Sequence, residues 1–212
     1  SNTMTFEEYK KCHYFRWMVM AGHYLGTTQF ISRFLRKNNN ITYRRFYESL
    51  LQFAYDNPNT VLGKELIETI NSLEATLDTK HPWGRILPDV RKNFAWDFEE
   101  ATAITIAKNR DQFYEEIKVF ISSYLKIELE EDLVEDLFKY QKLSIIDPVV
   151  EYPIKQKFGH NIHNVIHMSS LLKNKSDEVT FEGDNYSGDY YTWGKEKLWW
   201  GRRVGGCKTR SY

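Results

Sequence analysis

Apolar residues recur at helical spacing along most of this chain, and that periodicity constrains the fold more than any other feature. Tyr43, Phe46, Tyr47, Leu50, Leu51 and Ala54 stand at i, i+3, i+4, i+7, i+8 and i+11, which places them on one face of a helix. Thr42 is positioned to cap that helix and Asn57-Pro58 to end it. Leu62, Leu66, Ile70, Leu73 and Leu77 form the next stripe, with Thr60 as its cap. Phe113, Ile117, Phe120, Ile121 and Tyr124 make a third, and Leu129, Leu133, Leu137 and Tyr140 a fourth that stops at Asp147-Pro148. An opening helix is expected from Phe6 to about Met20, with Gly22 and Gly26 bending its continuation. A further helix then runs to about Lys37, closed by Asn38-Asn39-Asn40. Residues 79–92, broken by Pro82, Gly84 and Pro88, read as a loop, and Phe94 to Ala107 as helix.

The pattern changes after Pro153. A short helix is expected around His160–Leu172, then a brief strand at Val179-Thr180-Phe181 and a loop from Gly183 to Asp189. An aromatic, basic tail follows, with Trp193, Trp199, Trp200, Gly201, Arg202 and Arg203. The expected fold is mainly α: a multi-helix bundle over residues 1–150, with at least five helices and at most a minor strand pair. Residues 151–212 form a small irregular α/β appendage, too short to fold alone and expected to pack on the bundle. A chain of 212 residues with 16% aromatic content can bury a sizeable core.

Charge narrows the partners. Lys+Arg and Asp+Glu both number 29, so the overall field favours neither nucleic acid nor an acidic partner. Locally the balance is uneven. Residues 9–47 hold eight Lys/Arg and no Asp/Glu, residues 193–212 hold six basic residues against Glu196, and residues 128–136 hold six acidic ones. Complementary solvated faces of a bundle explain this; the sharper alternative is a basic surface that docks another domain or an anionic ligand. Cys12 and Cys207 match no disulfide framework or metal knuckle, which points to a reduced, cytoplasmic setting. The apolar segment from Cys12 to Leu35 is interrupted by Arg16, His23, Gln29 and Arg33, so no membrane span is expected.

Several residues can carry chemistry. His160, His163 and His167 sit at i, i+3 and i+7, where neutral imidazoles on one helix face can hold a metal. No carboxylate or thiolate stands at ligand spacing beside them, so the expectation is no metal. His13 and His23 are candidate general bases, set against the plainer role of a histidine packed among aromatics. Asp97, Glu99 and Glu100 pair carboxylates, yet acids in a first helical turn are also favoured by the helix dipole. Gly205-Gly206 after Arg202-Arg203 offers amides and guanidiniums to a phosphate or carboxylate. Adjacent helical residues lie about 100° apart around the axis, so Trp199 and Trp200 cannot both face one core. Trp199, Trp200, Arg202 and Arg203 are therefore the expected ligand or domain contact, with no catalytic residue assigned; the alternative is that both arginines pair with the acidic stretch 128–136. No phosphate loop, serine elbow or deaminase signature occurs.

Two stretches carry a resemblance. The first is Asn2 to Tyr9, Phe15 to Met20, His23-Tyr24-Leu25-Gly26-Thr27-Thr28-Gln29-Phe30-Ile31, Phe34-Leu35-Arg36 and Tyr43-Arg44-Arg45-Phe46-Tyr47-Glu48. It resembles the region after the catalytic barrel in cobalamin-binding-domain radical-SAM proteins. The second, Val179-Thr180-Phe181 with Lys197-Leu198-Trp199-Trp200-Gly201-Arg202-Arg203-Val204-Gly205-Gly206, resembles the tail of the same proteins. The resemblance implies a parent with a cobalamin domain, an S-adenosylmethionine-cleaving barrel and a 4Fe-4S cluster, usually a methyltransferase or rearrangement enzyme. Its cluster motif, CxxxCxxC, is absent here, since only Cys12 and Cys207 occur. The expectation is thus a C-terminal accessory, substrate-side domain with no cofactor of its own and no catalysis alone. Its partners would be the barrel, the cobalamin domain and a substrate of unknown identity. The alternatives are a free-standing helical interaction protein, or a metal-dependent enzyme built on the His160 cluster.

Overall fold

Local capping chemistry sets where the helices begin. In the computed structural model, which describes residues 4–78, 83–168, 170–199 and 206–211, Thr5 and Glu8 close a reciprocal cap at 2.7 and 3.2 Å and start α1 (Phe6–Val19). The chain continues through a π-helical turn at Met20–Tyr24 before α2 (Gln29–Asn39), which ends on Asn40 in the left-handed conformation. Thr42 accepts from Arg45 N at 3.2 Å and starts α3 (Tyr43–Asp56). Thr60 accepts from Gly63 N at 3.0 Å and starts α4 (Val61–Leu77). Then come α5 (Phe98–Lys108), α6 (Arg110–Ser123) and α7 (Glu131–Ser144).

Two small antiparallel sheets complete the described structure. A hairpin joins β1 (Arg85–Ile86) to β2 (Ala95–Trp96). A three-stranded sheet runs β3 (Ile154–Phe158), β4 (Asp177–Glu182) and β5 (Lys208–Ser211), with β4 in the centre. Between β3 and β4 lies the short α8 (Ile162–Met168). Between β4 and β5 lie α9 (Tyr190–Trp193) and a second π turn, Gly194–Leu198.

The fold is mainly α, as the periodicity predicts, but its β content exceeds the expected minor strand pair. The expected loop 79–92 contains β1. The helix expected from Phe94 starts only at Phe98, because Ala95-Trp96 is extended against β1 and buries Trp96 completely. The helix expected from His160 begins at Ile162. No helix among the described residues is long and apolar enough to cross a membrane.

One continuous apolar cluster runs from the bundle into the sheet. Phe46 and Phe53 meet Phe120 edge-on or tilted at 5.4 and 5.7 Å, joining α3 to α6. Tyr140 of α7 meets Phe158 and Phe181 at 5.8 and 5.6 Å, seating the sheet on the bundle. A fully buried phenylalanine of this kind contributes about 2–3 kcal/mol relative to exposure. Backbone contacts fasten the last strand: Ile145 pairs with Gly206, and Cys207 N donates to Ser144 O at 2.8 Å.

A buried polar network ties α1, α4, β1 and α5. Glu65 accepts from Arg85 at 2.6 Å and from Thr102 at 2.7 Å, and Thr102 accepts from Trp17 Nε1 at 3.0 Å. Both ionic side chains are almost fully buried. Arg85→Ala therefore strands the Glu65 carboxylate and should cost about 3–5 kcal/mol. Thermal denaturation should show a melting temperature lower by roughly 6–20 °C. A shift within one or two degrees would mean that water or another cation replaces Arg85.

Candidate functional site

The first π turn, Met20–Tyr24, interrupts the α-helical geometry between α1 and α2. One extra residue per turn widens the helix and displaces carbonyls from their usual partners. Here those carbonyls are recovered locally: Thr27 Oγ1 donates to Ala21 O at 2.9 Å, and Thr28 donates to Gly22 O through its amide at 2.8 Å and its hydroxyl at 3.2 Å. Gly22 lies so close to Tyr47 that a Cβ there would stand 2.7 Å from Cε1 of the ring. Gly26, at φ +92°, lets the chain reverse into α2.

Gln141, fully buried on α7, holds this reversal. Its carbonyl accepts from Phe30 N at 2.9 Å and Ile31 N at 3.3 Å, two first-turn amides of α2 that have no intrahelical acceptor. Its amide donates to Gly26 O at 2.9 Å and Tyr114 Oη at 3.3 Å, and Tyr114 Oη donates to Thr27 O at 2.9 Å. One side chain thus satisfies both sides of the turn. Burial pushes the Tyr114 hydroxyl up to about 12, so it stays a donor at neutral pH.

Beside the turn lies a cleft of 360 Å³. His23, Tyr24 and Gly26 come from the first π region, Gln29 and Arg33 from α2, and Lys197 from the second π turn; no Asp or Glu among the described residues lines it. His23 also lines an apolar groove formed with Phe15, Val19, Tyr43 and Tyr47, so it stands where a cationic and an apolar surface meet. Lys197 Nζ is held at 2.5 Å by Asp184. The larger groove of 780 Å³ along α6 and α7 carries charges of both signs, among them the pairs Lys142 with Asp111 at 2.7 Å and Arg110 with Asp147.

A hydrogen-bond network holds the His23 ring. His23 Nδ1 is 3.1 Å from Tyr47 Oη, which also lies 3.2 Å from Ser32 Oγ and 3.5 Å from Thr28 Oγ1. Ser32 Oγ also reaches Gln29 O at 2.9 Å and Thr28 Oγ1 reaches Gly22 O at 3.2 Å. Tyr47 Oη thus joins His23 to Ser32 and Thr28, as donor to one of the three and acceptor from the others. Burial and the neighbouring Arg33 hold the His23 pKa below its usual value, so the ring is neutral at pH 7. A neutral imidazole keeps one ring-nitrogen lone pair, which makes His23 a candidate Brønsted base at the edge of the cleft. The ring also packs edge-on against Tyr43 and Tyr47, as expected of a histidine among aromatics.

The other sequence candidates take structural roles or fall outside the described residues. His160 Nδ1–H donates to the Asp136 carboxylate at 2.8 Å, and the residue precedes α8. His163 Nδ1 and His167 Nε2 share the Tyr140 hydroxyl at 3.0 and 2.9 Å, with their rings stacked at 4.7 Å. The three histidines therefore do not converge, and no group of His, Cys, Asp and Glu among the described residues forms a metal-ligand set. His13 packs edge-on against Tyr9 and Trp83. Glu100 reaches back to Asp97 N at 3.2 Å, and Glu99 pairs with Arg16 at 3.0 Å. Trp199 is half-buried against Phe94 at 5.6 Å, with Lys195 above its ring at 4.9 Å. Trp200, Arg202, Arg203 and Gly205 lie outside the described residues.

Fold and cleft together define a helical domain with a small antiparallel sheet and a cationic recess at the seam of two π turns. No family model matches the chain. It is 23% identical over 159 residues to the 2-(S-pantetheinyl)-carbapenam-3-carboxylate methyltransferase of Streptantibioticus cattleyicolor, covering 70% of this chain and 23% of that enzyme. It is 24% identical over 132 residues to the cobalamin-dependent radical SAM methyltransferase TokK of Streptomyces tokunonensis, covering 57% of this chain and 19% of that enzyme. The matched stretch therefore spans less than a quarter of either relative.

The Tyr140 pair gives a pH dependence. Desolvation, then His163, Arg33 and Lys37, push the His167 pKa down to about 4, although one side of the residue meets solvent. The unfolded chain binds this proton near pH 6.5 and the folded chain only near pH 4. Stability from His167 is therefore complete above pH 6.5 and is lost as pH falls from 6.5 towards 4. Denaturant titrations at pH 7 and pH 5 should show a smaller drop for His167→Gln than for the unaltered chain. An equal drop in both would assign the loss to other groups.

Proposed function

We propose that this chain is the C-terminal, substrate-side domain of a cobalamin-dependent radical-SAM methyltransferase, and that it does not catalyse on its own. The similarity to the Streptantibioticus cattleyicolor methyltransferase over 70% of the chain carries the reading; the name of the second relative supplies cobalamin and radical-SAM chemistry. In this reading residues 1–150 are the bundle and 151–212 the appendage. Trp199, Trp200, Arg202 and Arg203 contact the substrate or the catalytic barrel. S-adenosylmethionine, the 4Fe-4S cluster and cobalamin belong to the other domains of the parent.

The chemistry of the thiols supports that division. An iron–sulfur cluster needs several converging thiolates. Cys12 is exposed at the start of the bundle, and Cys207 is held beside Tyr152, where burial pushes its thiol up to about 11. A thiol so raised is a poor ligand at neutral pH. What remains for this domain is shape and charge: a neutral histidine base, a cationic recess and an adjoining apolar groove.

The test compares the chain with its natural gene product. The full reading frame should encode CxxxCxxC upstream, and the purified full-length protein should assemble a four-iron cluster and cleave S-adenosylmethionine. The 212-residue chain should do neither under the same anaerobic reconstitution. A stoichiometric four-iron absorption band on the 212-residue chain, or a natural reading frame without the motif, would contradict the proposal.

A further inference from the structure

We infer that the cleft between the two π turns is a binding site for a small oxyanion, a carboxylate or a phosphate, held by Arg33 and Lys197 with the Gln29 amide as a further donor. The inference rests on the geometry of this chain and does not depend on the radical-SAM reading.

Charge placement is the first argument. The chain as a whole is neutral, with 29 basic and 29 acidic residues, yet among the described residues this recess is lined by Arg33 and Lys197 and by no carboxylate, and of the two only Lys197 is paired, with Asp184. Arg16, Arg44, Arg85 and Arg110 each meet an acidic side chain. Arg33 does not: its guanidinium stands 5.9 Å from the Phe30 ring and pairs with no carboxylate among the described residues. It is also half-buried. A guanidinium presents five N–H donors in a planar fork, and leaving them unfilled in a partly desolvated recess is unfavourable. A planar or tetrahedral oxyanion fills that fork with two parallel hydrogen bonds.

Preorganisation is the second. Gln29 and Arg33 are one turn apart on α2, so both side chains leave the same face. Lys197 reaches the cleft from the other side, its side chain only 13% exposed and fixed by Asp184, which lies outside the cleft walls. The rim at Gly26 is fixed by Gln141. A volume of 360 Å³ is at the lower end of small-molecule sites, enough for the anionic head of an organic compound.

Binding can be read directly on the 212-residue chain. Inorganic phosphate and acetate are each titrated against sodium chloride at constant ionic strength, with melting temperature and amide chemical shifts as readouts. At a probe concentration of about ten times Kd, the melting temperature should rise by roughly 3–6 °C over chloride. The largest shifts should fall on the Gln29 side-chain amide and on Gly26. Arg33→Gln should abolish most of the rise, and Gln29→Ala should weaken it. Arg44→Gln, which removes the same charge from an exposed pair, should leave it intact. The stronger of the two probes identifies the head group, and a response to either supports the site. No response beyond chloride to phosphate or acetate would overturn the inference, as would equal responses in Arg33→Gln and Arg44→Gln. Neither result would bear on the cluster and S-adenosylmethionine test of the parent enzyme.

Discussion

A single buried amide, that of Gln141, is the point on which this architecture turns. Leaving the first π turn, the backbone reverses at Gly26 and must start α2 in the interior, where water cannot satisfy its free amides. Gln141 accepts from two of them and donates to the carbonyl just before the turn. A buried donor left without an acceptor costs about 1–3 kcal/mol, so an apolar residue at 141 would oppose this reversal twice over. Because Gln141 belongs to α7, the same contacts fix the angle between the N-terminal hairpin of helices and the helix that seats the C-terminal sheet. Everything built on that corner, including the position of His23 and Arg33, inherits its rigidity.

The corner has a chemical consequence. Placing a π turn, a left-handed glycine and a helix start within ten residues brings a histidine, a glutamine and an arginine to one edge. The second π turn supplies Lys197 from the far end of the chain. Tyr47 sits behind this edge and orders the histidine through its hydroxyl, itself held by Ser32 and Thr28. The outcome is a recess with a cationic wall, a neutral base and an apolar neighbour. That combination suits recognition of an organic anion, and it fits a domain that shapes a substrate site without performing the reaction.

Much of this could be read in the sequence, and the gaps have physical reasons. The helices of the bundle were legible because each carries both an apolar stripe and a cap, as at Thr42 and Thr60. The central strand at Val179–Phe181 was legible from its β-branched and aromatic run, and its neighbours were not. Ile154-Lys155-Gln156-Lys157-Phe158 alternates over too few residues to stand out, and Lys208–Ser211 is a polar edge strand defined only by pairing with β4. The helix expected from Phe94 begins only after the Asp97 cap, because pairing of Ala95 and Trp96 with Arg85 and Ile86 overrides local propensity. At the site, His23 was recognisable as a candidate base, and the bends at Gly22 and Gly26 were signalled by the glycines. Arg33 and Gln29 were visible only as interruptions of an apolar segment. That they line one cleft with Lys197, from the other end of the chain, is a tertiary arrangement that no periodicity encodes.

Hydrogen exchange at two amides tests the central role of Gln141 most directly. The first amides of an ordinary helix have no intrahelical acceptor and exchange rapidly. If Gln141 holds the reversal, Phe30 N–H and Ile31 N–H should be protected to a degree comparable with the interior amides of α3 and α7. Exchange of both at the rate of a frayed, solvent-facing helix start would contradict the account, because the turn would then be held by something other than the buried amide.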